Sequence, residues 1–401
     1  MLIEKNIDTK LPYHLRKAQE YVAPYINGQL TVVLWDGRQI ELQNGEPGFV
    51  SQIKVKDARL FKRLFSEGWV GFSEAYLEGW WETDDLLTFM DHMHTIDLRA
   101  YEAFEGGLWS RMTNAVKHWL QSNTKRQAKK NISYHYDLGN EFYGLWLDDT
   151  MTYSSAKFET GQESLESAQI KKYASMVDQM GVKEGDHVLE IGCGWGGFAE
   201  YAAKERGLRV TGLTISQEQH DYAVERIAKA GLSERVEIKL QDYRDEKGTY
   251  DGIASIEMFE AVGEKYWSTY FDSVKACLKP GANATLQIIT VEERRWEVYR
   301  KGVDFIQKYI FPGGMLPSPL ALKAAVEGAG LKVAHSIEFG ESYSQTLRRW
   351  YDDFNGRWDD VEALGFDDRF RRMWNLYLTS CASTFHSGNC DVTQITVTRP
   401  A

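Results

Sequence analysis

The sequence predicts an α/β protein in which a Rossmann-like, doubly wound sheet of seven strands follows a smaller, mainly helical amino-terminal domain. Three observations carry this prediction. From Ser164 onward, helix and strand patterns alternate as they do in a doubly wound sheet. The run Val188-Leu-Glu-Ile-Gly-Cys-Gly-Trp-Gly-Gly-Phe198 is an apolar strand that ends in an acid and turns through glycines into a helix. The polar, basic stretch Gln121-Ser-Asn-Thr-Lys-Arg-Gln-Ala-Lys-Lys130 separates a helix-like segment, 101–120, from a new aromatic block.

These breaks divide the chain into a domain at 1–120, a linker at 121–133 and a second domain at 134–401, with an insertion near 291–319. In the first domain a helix is expected over 12–23, then strand 30–35, the turn Asp36-Gly37 and strand 38–42, which together suit a hairpin. Helices follow at 58–67 and 84–94. The aromatic and glycine-rich segment 69–81 reads as a packed connector, with contact to lipid or a partner subunit as the alternative. In the second domain the order is helix 164–180, strand 188–191, helix 197–206, strand 208–213, helix 217–230, strand 236–240 and strand 252–256. Helix 266–278, strand 284–289, helix 320–329 and strands near 331–339 and 391–398 complete it. Ligands in such sheets sit at the carboxyl ends of the strands, so Thr214, Asp242, Glu257, Met258, Glu260 and Gln287 are candidates to face one crevice.

The glycine turn is a cofactor signal. Gly192, Gly194 and Gly196 let backbone amides approach a ligand at the start of the next helix. Spacing alone would also fit a dinucleotide. That site wants an acid about 20 residues further on to hold the ribose, and the next strand, Leu208-Arg-Val-Thr-Gly-Leu-Thr-Ile-Ser216, has none. S-adenosylmethionine is therefore expected in place of NAD or FAD. Asp242 offers an acceptor for an exocyclic amine and Tyr243 a ring to stack on adenine; a solvent-exposed loop acid is the plainer reading of Asp242.

Composition narrows the partners. Of 401 residues, 43% are hydrophobic, enough for full cores, and 13% are aromatic. A net charge of -11 argues against a nucleic-acid partner and requires a local basic patch for any acidic membrane surface. The four cysteines lie far apart without CxxC spacing, so neither a metal site nor a disulfide framework is expected, and a reducing cytoplasm fits. The polar start and the absence of 18 consecutive apolar residues point to a protein that is soluble or at most peripheral to a membrane.

Six ordered blocks then carry a specific resemblance: His135-Tyr-Asp-Leu-Gly-Asn-Glu-Phe142, Thr152-Tyr-Ser-Ser-Ala156, Leu189-Glu-Ile-Gly-Cys-Gly-Trp-Gly196, Leu213-Thr-Ile-Ser-Gln-Glu-Gln219, Met258-Phe-Glu-Ala-Val-Gly263 and Lys308-Tyr-Ile-Phe-Pro-Gly-Gly314. Over roughly 130–399 the chain resembles the cyclopropane-fatty-acid synthase family. Its amino-terminal domain resembles that of the phospholipid-acting members at Gly71-Phe-Ser-Glu-Ala-Tyr-Leu-Glu-Gly-Trp-Trp81.

The resemblance implies a class I methyltransferase domain that moves the methyl carbon of S-adenosylmethionine onto the cis double bond of a phospholipid acyl chain. A carbocation then loses a proton to close a cyclopropane ring. It implies cofactor contacts at Tyr136, Tyr153, Ser154, Thr214, Gln219, Asp242, Tyr243 and Ile256 beside the glycines, and S-adenosylhomocysteine as the coproduct. It implies a bicarbonate ion as proton acceptor, held by Glu260, Tyr343 and the backbone at Ile289. Family positions that are usually cysteine and histidine are Ser155 and Gln287 here, and a further histidine is Ala261. Ser155 and Gln287 can donate to an oxyanion, but an amide cannot relay a proton as imidazole does. A methylene- or methyl-branched product is therefore the alternative to the ring. The amino-terminal domain is expected to serve lipid access or self-association as a homodimer, and the enzyme to work at the inner membrane face through Phe311, Leu316 or that domain. An RNA or protein methyltransferase is the competing reading; the acidic balance and the lack of an Asn- or Asp-Pro-Pro-Tyr/Phe motif count against it.

Overall fold

The computed structural model describes residues 13–96, 127 and 138–401. The expected helix at 101–120, the linker other than Gln127, and Tyr136 lie outside these residues.

The larger sheet contains β5 (His187–Ile191), β6 (Arg209–Thr214), β7 (Val236–Leu240), β8 (Tyr250–Ile256), β9 (Leu278–Val291), β10 (Lys332–Glu338) and β11 (Cys390–Thr398). Its order is β10-β11-β9-β8-β5-β6-β7. Strands β9, β8, β5, β6 and β7 run parallel, while β11 is antiparallel to both β9 and β10. Chain order reverses between β5 and β8, so the carboxyl ends of these strands open a crevice where ligands bind in doubly wound sheets.

Local chemistry sets the helix boundaries around it. Ser164 caps helix Leu165–Met180 by accepting from the Ser167 amide, and left-handed Gly181 ends it. Gly196 and Gly207, both left-handed, bracket helix Gly197–Arg206. Two helices absent from the sequence reading, Gly340–Gly356 and Asp368–His386, pack on each other, and the second also packs on the amino-terminal helices. Buried Tyr343, Leu347, Trp350 and Phe354 give the first of them its helical stripe.

The amino-terminal part carries a sheet of its own, β1 (Gly28–Val33), β2 (Gln39–Leu42), β3 (Phe49–Val55) and β4 (Trp81–Glu82), in the order β2-β1-β3-β4. The expected hairpin is β1 and β2, whereas β3 was not foreseen. Segment 69–77 is helical, not a connector: helix Arg59–Leu77 runs through a kink at Gly68, with φ 66° and ψ -151°. The kink falls where the sequence reading ended that helix.

Polar groups on five helices fasten the two halves together. Glu74 accepts from Lys308 Nζ at 2.5 Å and from Tyr309 Oη and Arg63 at 2.6 Å each. Asp91 accepts from Arg348 at 2.7 and 2.9 Å and from Ser383 at 2.7 Å. Buried residues of both halves form one apolar cluster, so the cavity described below has walls from each.

Candidate active site

A cavity of about 750 Å³ opens at the carboxyl ends of β5, β6, β8 and β9. One end is polar. Gly192 and Gly194, with φ of 84° and 52°, line it directly. A Cβ built on Gly192 would sit 2.8 Å from Met258, whereas one on Gly194 meets no protein atom within 4 Å. Gly194 thus presents bare backbone to the cavity. Gly196 does not line the cavity; it starts the following helix and backs onto Ala223, because the turn has already entered the helix by then.

Tyr153, Ser154, Thr214, Gln219, Asp242, Tyr243 and Ile256 all line the cavity. Thr214 donates to Gln219 Oε1 at 2.9 Å, which fixes that amide. Asp242 is held by Arg244 through Nε at 2.8 Å and NH2 at 2.6 Å, so it is not a solvated loop acid. Buried Glu190 also lines the cavity, and burial pushes its carboxyl up to about 8.

Deeper in, the residues assigned to an anion converge on a side chain of this protein. Glu257 Oε1 accepts from the Ser155 amide at 2.8 Å and from Gln287 Nε2 at 2.8 Å, and its Oε2 accepts from Tyr343 Oη at 2.7 Å. Ser155 acts through its backbone, because its hydroxyl is turned to the Ala156 carbonyl at 2.8 Å. Gln287 lies behind Glu257 and does not face the crevice; Gln394 donates to its Oε1 at 3.0 Å and so aims its NH2 at the carboxylate. The Ile289 amide donates to Glu260 Oε1 at 2.6 Å, and Ala261 lines the wall without a polar group. The donors expected around bicarbonate are therefore engaged within the protein, Gln287 and Tyr343 by Glu257, the Ile289 amide by Glu260 and the Ser155 hydroxyl by the Ala156 carbonyl, and a further anion would face the Glu257 carboxylate. The residues do not fit a bicarbonate ion held in that way.

Electrostatics separate the two acids. Burial raises Glu257, while the Tyr343 and Gln287 hydrogen bonds and the charge of Lys172 oppose that rise. Glu260 is pushed up to about 8 by burial and then by the Glu257 charge, and its Oε2 has no partner among the described residues. Fully buried Lys172 donates to Ser154 Oγ at 2.8 Å, and burial pushes it down to about 7. Lys172 and Gln394 were missed by sequence reasoning, since each sits mid-element with no motif around it.

The other branch of the cavity is apolar. Phe72, Met90 and Met93 from the amino-terminal helices line it together with Phe305, Met315 and Leu376. Aromatic rings flank the junction. Tyr343 stacks on Phe385 at 4.4 Å and meets Trp350 edge-on at 6.3 Å, and Tyr153 lies against Trp350 at 5.2 Å. Ring faces so placed stabilise a cation without forming a bond to it.

The comparisons agree with this geometry. The family model described as mycolic acid cyclopropane synthetase matches residues 123–395. The tuberculostearic acid methyltransferase UfaA1 of Mycobacterium tuberculosis is 37% identical, over 85% of this chain and 81% of its own. The cyclopropane-fatty-acyl-phospholipid synthase of Escherichia coli K12 is 37% identical, over 87% of this chain and 88% of its own. The crystal structure of mycolic acid cyclopropane synthase CmaA1 complexed with SAH and CTAB superposes with a TM-score of 0.63 at 29% identity, covering 67% of this chain and 98% of that one. A glycine loop at the switch point, the match across both halves and the shared fold lead to one assignment: this chain belongs to the mycolic acid cyclopropane synthetase family and is an S-adenosylmethionine-dependent methyltransferase.

Proposed function

We propose that the protein transfers the methyl carbon of S-adenosylmethionine to the cis double bond of an unsaturated phospholipid acyl chain and closes a cyclopropane ring. The observation that carries this reading is the cavity itself: one end is built of glycine backbone and polar side chains, the other of apolar side chains, with buried carboxylates and aromatic rings between. S-adenosylmethionine, when bound, supplies an electrophilic methyl group. The protein's part is to hold the alkene beside that group in a water-excluded space, because an alkene is a weak nucleophile. Gly192 and Gly194 cradle the methionine part, Gln219 and Asp242 the nucleoside, and Tyr153 and Tyr343, backed by buried Trp350, flank the cationic carbon.

In this reading the amino-terminal domain serves lipid access, and its helices Arg59–Leu77 and Leu86–His94 supply Phe72, Met90 and Met93 to the acyl channel. The enzyme docks peripherally on a bilayer. Phe311 lines the cavity and is 37% exposed, and Leu320, 64% exposed, opens the nearby helix Pro319–Gly328; both are placed to enter the interface. No described helix is long and apolar enough to cross a membrane. A second reading, an open-chain methylene or methyl branch, is favoured by Gln287, which cannot relay a proton from the site.

The test is incubation with methyl-labelled cofactor and vesicles of unsaturated phosphatidylglycerol, followed by sedimentation and analysis of the fatty esters. We expect the protein to sediment with the vesicles and the esters to gain one labelled CH2. Proton NMR then separates a ring from an exocyclic methylene. Labelling of soluble acyl thioesters alone would overturn the phospholipid reading.

A further inference from the structure

We propose that Glu257 is the proton acceptor of this reaction, built into the chain where an added anion would otherwise be required. The inference rests on the lipid methyl-transfer reading above and deepens it. Three donors from separate elements converge on this one carboxylate: the Ser155 amide, the Gln287 amide from β9 and the Tyr343 hydroxyl from helix Gly340–Gly356. Such convergence stabilises a negative charge at one fixed point. Two of the donors fall on Oε1 and one on Oε2, so Oε2 keeps a lone pair in a side chain that lines the cavity.

The backbone supports the same assignment. Glu257 has φ +50°, one of only two non-glycine residues with positive φ among those described. A left-handed residue with a long side chain costs about 1–2 kcal/mol that glycine would avoid. A glutamate at this position is explained by what its carboxylate does. Lys172, whose charge acts on Glu257, lies on the protein side, fully buried and bonded to Ser154. Glu260 is less suited to the role, with a single backbone donor on one oxygen.

The chemistry balances without another reactant. The alkene pair forms a bond to the methyl carbon as the carbon–sulfur bond breaks, leaving a carbocation on the neighbouring acyl carbon. A C–H bond of the new methyl group then breaks. Its proton goes to Glu257 Oε2 and its electron pair closes the third carbon–carbon bond of the ring. Glu257 is left as the neutral acid and returns its proton to water once the lipid leaves.

The experiment uses the full chain, the same phospholipid vesicles and buffer sparged free of carbon dioxide, with bicarbonate added back in a parallel arm. The wild type should modify lipid at the same rate in both arms. Glu257→Gln should lose roughly 100- to 10,000-fold in rate, the usual contribution of a positioned general base, while S-adenosylhomocysteine affinity and the thermal midpoint hold. Should E257Q not fold, E257G carries the test, because φ +50° suits glycine. Its activity in sparged buffer should be lost to the same degree. A wild type that stops when bicarbonate is removed, or a Glu257 variant that keeps its rate in sparged buffer, overturns the proposal. A wild type that modifies no lipid in either arm overturns instead the lipid reading on which it rests.

Discussion

Gly194 offers a perturbation that separates cofactor binding from folding. Its φ of +52° lies in the left-handed region, where alanine costs about 1–2 kcal/mol. No protein atom lies within 4 Å of the Cβ that alanine would add, so no steric cost inside the protein comes on top. Set against a native stability of about 5–15 kcal/mol, Gly194→Ala should fold. The new methyl group instead points into the cavity. Forcing one methyl group into a filled space costs about 1–3 kcal/mol, which is roughly 5- to 150-fold in affinity. Gly192→Ala is the contrast, because its Cβ would lie 2.8 Å from Met258 and its φ is +84°. The loss there should appear first as a lower thermal midpoint. Calorimetric titration with S-adenosylhomocysteine, paired with thermal unfolding of both variants, reads the two effects apart. Unchanged affinity in G194A, or a stability loss in G194A as large as in G192A, would refute the placement of the loop.

Two further outcomes follow from the buried charges. Glu260 is pushed up to about 8 in the folded protein from an ordinary 4.5. Between those values the native state holds a proton that the unfolded chain has lost, so stability falls as pH rises, by about 1.4 kcal/mol per unit, and levels off above the folded value. Glu260→Gln should lessen that slope in urea midpoints taken from about pH 5 to 9, leaving the share of Glu190, also raised to about 8, and parallel slopes for the two proteins would count against a buried, neutral Glu260. Glu74→Ala leaves Arg63 and Lys308 without the carboxylate they share at 2.6 and 2.5 Å. Breaking a fully buried pair costs 3–5 kcal/mol, and because both cations are partly exposed about 2 kcal/mol is expected, seen as a midpoint several degrees lower. An unchanged midpoint would show that this junction does not hold the amino-terminal helices against the insertion.

What the sequence determined by itself was the alternating sheet, the glycine turn and the strand ends where the site lies. These are local: periodicity marks strands and helices, and a left-handed turn needs glycine whatever surrounds it. The bounds of helix Gly197–Arg206 and strand Val236–Leu240 were legible to the residue. The convergence on Glu257 was not. Ser155, Glu257, Gln287 and Tyr343 are separated in sequence by up to 188 positions, and only the pairing of β8 with β9 and the packing of helix Gly340–Gly356 bring them together. Spacing placed Glu257 and Gln287 on one crevice, but tertiary structure put the amide behind the acid, because Gln394 on β11 holds it from the other side. Lys172 was illegible for the same reason: an isolated lysine reads as solvated surface, and only tertiary packing places it, fully buried, where its charge acts on Glu257.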